Sequence, residues 1–155
     1  MLQRIQTIFL LLASAATSAL LMNPMELASV EGDLTALQAQ PQHMLDDGIF
    51  HVTDHLLLLM LVGLGIALSL IAIFQFRRRT RQITIVRFAL IANLLILLLS
   101  ALFFYQDYTN LTSGTYLFEI GYGVLAPVVS IICCGLAIRY IRKDDSLVRS
   151  MDRLR

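Results

Sequence analysis

Charge is scarce in this 155-residue chain. Asp, Glu, Lys and Arg make up 15% of it, against 57% hydrophobic residues. A soluble domain carries about a quarter charged residues, so the composition argues against one. Cysteine is nearly absent. The two that occur, Cys133 and Cys134, are adjacent within an apolar run. Neighbours on a helix point about 100° apart, which disfavours a mutual disulfide and leaves no disulfide framework or Cys-based zinc pattern. The sequence holds no P-loop, no G-x-S-x-G, no H-E-x-x-H and no nucleic-acid-binding module. Internal repeats and low-complexity linkers are also lacking. No cofactor, catalytic constellation or nucleic-acid partner is therefore expected.

What the chain has instead is long apolar runs, with a mean hydropathy of +0.74. The clearest is Leu56 to Phe76, twenty-one residues without a charge, which runs straight into Arg77, Arg78, Arg79 and Arg81. About 20 apolar residues in a helix cross the ~30 Å hydrocarbon layer of a bilayer. Backbone groups in lipid must be paired internally, so such a run is a helix or part of a closed barrel. Barrel strands alternate apolar and polar residues; these runs do not. The expectation is an all-α membrane protein, a bundle of four transmembrane helices.

The chain order gives spans at about 5–22, 56–76, 83–104 and 118–140, arranged as two helical hairpins in a single integral membrane domain, 1–155. Outer loops cover 23–55 and 105–117, a tight turn covers 77–82, and a tail covers 141–155. The first run, Met1 to Met22, reads either as a span or as a secretory signal cleaved near Ala13-Ser14-Ala15. Residues 23–54 hold six acids, Pro24, Gly32, Pro41 and Gly48, and no Lys or Arg, with a short helix expected over Asp33 to Gln40. Asn110-Leu111-Thr112 matches a glycosylation acceptor, which matters only in a eukaryotic secretory pathway. Gly121, Gly123 and Pro127 predict a loosened or kinked start to the fourth span. The tail reads as a short amphipathic cytoplasmic helix, with Leu147, Met151 and Leu154 on one face for docking a partner.

All twelve basic residues fall at the amino terminus, in or just after the middle turn, or from Arg139 onward, and none falls in the outer loops. Eight of the eleven acids lie on the opposite side. The positive-inside rule then puts both termini and the middle turn in the cytoplasm. Arg77, Arg78, Arg79, Arg81, Arg142 and Lys143 are read as topology determinants, and orientation is sufficient to account for them.

Several residues carry candidate chemistry, each with a plainer alternative. Asp47, His51 and His55 are spaced by four and share a face if the segment is helical, a low-probability metal site; the alternative is a polar collar, and Gly48 interrupts the segment. Glu119 near the outer end of the fourth span is either a proton or ion-path acid or a solvated collar. Asn93, with Ser69 and Ser130, can line a polar core, or bond helices together. Small residues four apart, Gly63 with Ala67 and Gly65 with Ser69, make the second span the expected central packing helix. Asn93 and Pro127 are counted among the packing positions with Gly63, Gly65 and Ser69.

Four segments also resemble a known family: MLQRIQTIFLLLA at the start, DGIFHVTDH, FQFRRRTRQI, and the closing IRYIRKDDSLVRSMDRLR. They resemble small four-helix inner-membrane proteins of Bacteroidota, catalogued only as a domain of unknown function. The resemblance covers essentially the whole chain and implies a retained first span. It supplies no reaction and no site residues. The resulting expectation is a multi-pass protein of the bacterial inner membrane. Its leading role is that of a non-enzymatic accessory or scaffold protein that binds the bilayer, other membrane or cytosolic proteins, or itself. The rivals are a small oligomeric transporter or channel and a metal-dependent membrane enzyme.

Overall fold

The computed structural model of the protein describes residues 2–22, 25–31, 48–76, 78–109 and 117–152. Four helices make up most of it: α1 (Leu2–Ala19), α2 (Leu56–Phe74), α3 (Arg79–Thr109) and α4 (Leu125–Asp152). Among the described residues three stretches are long and apolar enough to cross a membrane, Leu56–Phe74, Arg79–Thr109 and Tyr122–Val148, and Ile5–Ala19 is a shorter apolar helix.

The helices contact in a ring: α1 with α2, α2 with α3, α3 with α4, and α4 with α1. Their directions alternate. His55 before α2 meets Asp107 at the end of α3, Arg79 opening α3 meets Asp144 late in α4, and Phe9 early in α1 stacks on Tyr140 late in α4. Each helix turns one stripe inward. On α2 the stripe is Leu58, Val62, Gly65, Ser69 and Ala72, spaced four and three, the seam spacing that lets ridges of one helix sit in grooves of the next. The inward residues are mostly small, while Leu11, Leu64, Leu94, Leu98 and Ile132 point outward and are exposed. Large apolar side chains outside and small ones inside are the pattern of helices that pack closely within an apolar solvent.

The interior is layered. Phe50, Val52, Leu58, Val62 and Ile96 centre an apolar layer at the end where α2 begins. Leu10, Ala72, Val86, Ala89 and Ile141 centre a second one toward the end where α2 stops. Polar residues lie between the two. At the second end Arg79 Nη2 is 2.9 Å from Asp144 Oδ2 and Arg79 Nη1 donates to the Asp144 carbonyl at 3.1 Å. Beside them Gln82 Nε2 donates to the Ala72 carbonyl at 3.0 Å, a carbonyl in the last turn of α2 that also accepts from the Gln75 amide at 3.3 Å.

Three expectations about the fold change. The chain is not wholly helical: β1 (Ala28–Glu31) pairs antiparallel with β2 (Ile49–Phe50) on one side and with β3 (Leu117–Ile120) on the other, in the order β2-β1-β3. This sheet caps the end of the bundle where α2 starts. Secondly, α4 begins at Leu125, after β3 and a 3-10 turn at Tyr122–Val124, so residues 118–120 lie in a strand and the apolar stretch that could cross a membrane starts at Tyr122. Thirdly, the tail is no separate helix. It continues α4 without a break to Asp152, and at ~1.5 Å per residue these 28 residues extend about 42 Å, beyond the ~30 Å of a hydrocarbon layer. The helix expected over Asp33 to Gln40, the acceptor sequence at 110–112, Arg77 and Leu154 lie outside the described residues.

Gly121 and Gly123 explain how β3 can turn into α4 so abruptly. The Gly121 amide donates to the Leu27 carbonyl at 3.0 Å and the Gly123 amide to the Glu26 carbonyl at 2.8 Å. A Cβ at Gly123 would stand 2.6 Å from that carbonyl oxygen, and one at Gly121 would overlap it. The chain passes this close only because neither residue has a side chain. Pro127, fully buried, is the third residue of α4. At that position its missing amide is one that a helix leaves unpaired anyway, so the proline fits the first turn and does not break a span.

Candidate functional site

Two places combine burial with chemistry: a polar layer inside the bundle and an apolar cavity beneath the sheet.

The polar layer draws on all four helices. Thr17 of α1 is wholly buried, its Oγ1 lying 3.0 Å from Asn93 Oδ1 on α3 and 2.9 Å from Ser130 Oγ on α4. The Asn93 carboxamide oxygen and the Ala13 carbonyl, 2.9 Å away, both only accept, so the one Thr17 proton is shared between them and Ser130 donates to Thr17. Asn93 Nδ2 in turn donates to the Ala89 carbonyl at 2.9 Å. On α2, Ser69 Oγ donates to the Gly65 carbonyl at 2.9 Å, and the Cys134 thiol lies beside the hydroxyls of Ser130 and Ser69. Gly65 leaves the room for this: a Cβ there would meet Asn93 Nδ2 at 3.5 Å and Thr17 Cγ2 at 3.6 Å. The donors and acceptors are matched to one another, and no ionisable carboxylate, Lys, Arg or His takes part.

Asn93 and Ser130 are thus linked through Thr17, and Ser69 is buried at the same level on α2. Thr17 was missed, because the first run reads only as apolar; its spacing of four and seven from Ala13 and Leu10, both buried, is the signal that finds it. Gly65 and Ser69 face inward, but Gly63 is exposed with nothing within 4 Å of an added Cβ. Two residues on, a helix has turned about 200°, so the Gly63–Ala67 pair faces away from the bundle and packs nothing inside this chain.

The histidines do not form the shared face expected of a metal site. Gly48 is left-handed, with φ 74°, and His51 and His55 are both extended, with φ −109° and −114°, so no helix runs through them. The His51 amide donates to Asp54 Oδ2 at 2.6 Å, closing the 3-10 turn Val52–Asp54. His55 Nε2 lies 3.2 Å from Asp107 Oδ2, with its ring stacked on Phe103 at 4.3 Å between centroids. His55 therefore joins α2 to α3, and no group of three His, Cys, Asp or Glu side chains among the described residues could hold a metal. Asp47 lies outside the described residues. Glu119 lies on β3, exposed and paired in register with Ser29, not in a span.

At the other end of the bundle, Arg78, Arg81, Arg142 and Lys143 are exposed around the Arg79–Asp144 pair. Leu147 on the extension of α4 is exposed too; the Met151 side chain is outside what is described.

The cavity has a volume of about 540 Å³, within the ~300–1,000 Å³ usual for small-molecule sites. It exists because α3 runs to Thr109 while α4 starts only at Leu125, so the last turns of α3 have no helix beside them on that side. The sheet takes the place of that helix. Leu27, Ala28 and Ile120 roof the space, and Leu97 and Val124 floor it. One wall is aromatic: Phe50 meets Phe104 edge-on at 5.8 Å, and Phe104 stacks on Tyr108 at 6.1 Å. The one aliphatic hydroxyl in the lining, Ser100 Oγ, is already spent on the Leu97 carbonyl at 2.9 Å.

No curated protein and no solved structure matches the chain. One family profile does, over residues 2–154, and the chain therefore belongs to the family described as a domain of unknown function (DUF4293).

Proposed function

We propose that the protein is a multi-pass inner-membrane protein with both termini in the cytoplasm, acting as a non-enzymatic accessory that holds other proteins. The observation that carries this reading is the closed polar layer. Thr17 bonds to both Asn93 and Ser130 across α1, α3 and α4, which ties three helices together through neutral hydroxyl and amide groups. The features that argued for transport fall elsewhere: Glu119 on a strand, Asn93 hydrogen-bonded, Pro127 in a helix start. The orientation is supported by the exposed Arg78, Arg81, Arg142 and Lys143 at one end, and by Glu26, Asp54, Asp107 and Glu119 at the other. The role of α1 in the core supports a retained first helix.

The extension of α4 past Asp144 supplies the handle for a cytosolic partner, carrying Leu147 and Met151, with Leu154 three residues on in the sequence. The test is crosslinking and pull-down from native membranes with the full chain and with a chain lacking Ser146 to Arg155. Loss of partners with insertion intact supports the docking role; an unchanged partner set refutes it. Solute flux through vesicles reconstituted with the protein, lost in Glu119→Gln, would replace this reading with a transporter. Single cysteines at Thr53 and Arg142 test orientation, since an impermeant thiol reagent applied to intact cells should label the first and spare the second.

A further inference from the structure

We propose that the cavity beneath the sheet binds one acyl chain of a membrane phospholipid. The proposal uses the membrane placement given above but not the accessory role. The level of the cavity is set by the contact between His55 and Asp107. His55 immediately precedes the apolar α2, so Asp107 marks the same boundary on α3, and the cavity, lined by α3 from Leu97 to Tyr108, straddles the edge of the hydrocarbon layer. Its roof of Leu27, Ala28 and Ile120 belongs to the sheet, above that edge. An apolar hollow at this level meets lipid tails from below and head groups beside it, and tails are the apolar molecules present there in bulk.

The shape of the mouth agrees. Tyr105 and Ile120 are 68% and 70% exposed, and exposed Ala101 lies between Leu97 and Tyr105 on the same face of α3. The opening is therefore on the outer surface of the bundle, flanked by a small residue through which a chain can enter. Inside, the polar groups are confined to the Ser100 hydroxyl, which is internally bonded, and the tyrosine phenols near the rim. A flat aromatic wall facing aliphatic side chains suits an extended methylene chain, and offers no buried charge to select a polar ligand. The phenols of Tyr105 and Tyr108 are placed where head groups and glycerol esters lie.

The test is photolabelling of the full chain in phosphatidylethanolamine–phosphatidylglycerol vesicles doped with a phosphatidylethanolamine carrying a diazirine on one acyl chain. Adducts are mapped by mass spectrometry. Adducts on the 97–108 segment should saturate as the probe fraction rises and be competed by the unlabelled lipid. Adducts on the outward face of α2, at Met60 and Leu64, should rise in proportion to probe. Ala101→Phe should lower the first set about tenfold, the effect of losing contact for about two methylenes, and leave the second unchanged. Ile120→Asp, at an exposed strand position, sets a carboxylate over the mouth without filling the hollow and should act in the same direction. Proportional, uncompeted labelling of the 97–108 segment, insensitive to both substitutions, means ordinary boundary lipid and overturns the proposal. So does absence of adducts there while α2 is labelled. Absence of labelling at α2 itself would instead show that the membrane placement is wrong.

Discussion

Replacing Thr17 by valine is the sharpest test of the polar layer. Valine keeps the shape of threonine and removes only the hydroxyl. The Asn93 oxygen then loses its donor and Ser130 loses its acceptor, in a site that is fully buried. Interhelical hydrogen bonds in membrane bundles average ~0.6 kcal/mol, with a maximum near 1.7. Losing two of them costs about 1.2 kcal/mol at the average and about 3 kcal/mol at the upper limit. The Ala13 carbonyl shares the single Thr17 proton with Asn93, so the two acceptors count as one bond in this figure. The measurement is equilibrium unfolding in bicelles or by steric trapping, with circular dichroism to confirm retained helix. A double-mutant cycle with Ser130→Ala should return a coupling of about 0.6 kcal/mol. A stability for Thr17→Val within about 0.3 kcal/mol of the wild type, with zero coupling to Ser130, would refute the account of Thr17 as the centre of the layer.

Four further outcomes follow from the same structure. Gly123→Ala should destabilise the sheet by about 1–3 kcal/mol through overlap with the Glu26 carbonyl, read as faster hydrogen exchange at the β1 amides. Gly63→Ala and Gly135→Ala, where an added Cβ meets nothing within 4 Å, should stay within about 0.5 kcal/mol of the parent in the same unfolding assay. Gln6 Nε2 is buried without a partner, so Gln6→Met should raise stability by about 1 kcal/mol; a loss would show that the amide is satisfied. Asp107→Ala and His55→Ala should each cost about 1 kcal/mol, the net worth of one largely buried hydrogen bond between side chains that are each 17% exposed, and should be non-additive in a cycle of the two.

Which stretches form helices could be read from hydrophobic length, but not where the fourth begins and ends. A run such as Leu56 to Phe76 leaves the backbone no other way to pair its polar groups in lipid, and Leu56–Phe74 is helical. Asn93, Ser69 and Ser130 were legible as interior polar groups because a polar residue amid leucines is costly anywhere but inside. Gly63 and Gly65 show the limit of that reasoning. Both satisfy a small-residue spacing, and which of the two faces inward depends on the rotation of α2 about its axis, which its neighbours set.

The amino-acid sequence by itself determined that the chain forms long apolar helices with their basic residues grouped at one end, because hydrophobic length and charge placement are properties of local stretches. Tertiary structure alone decided the rest. Strands of four and two residues are too short to show an alternating pattern, and β1 finds β3 across the whole length of α2 and α3, from Ala28 to Ile120. That pairing draws residues 117–124 out of the fourth helix and opens the cavity beside α3. Thr17 gained its partners in the same way, since a hydroxyl in an apolar run has no assigned acceptor until three other helices are packed around it.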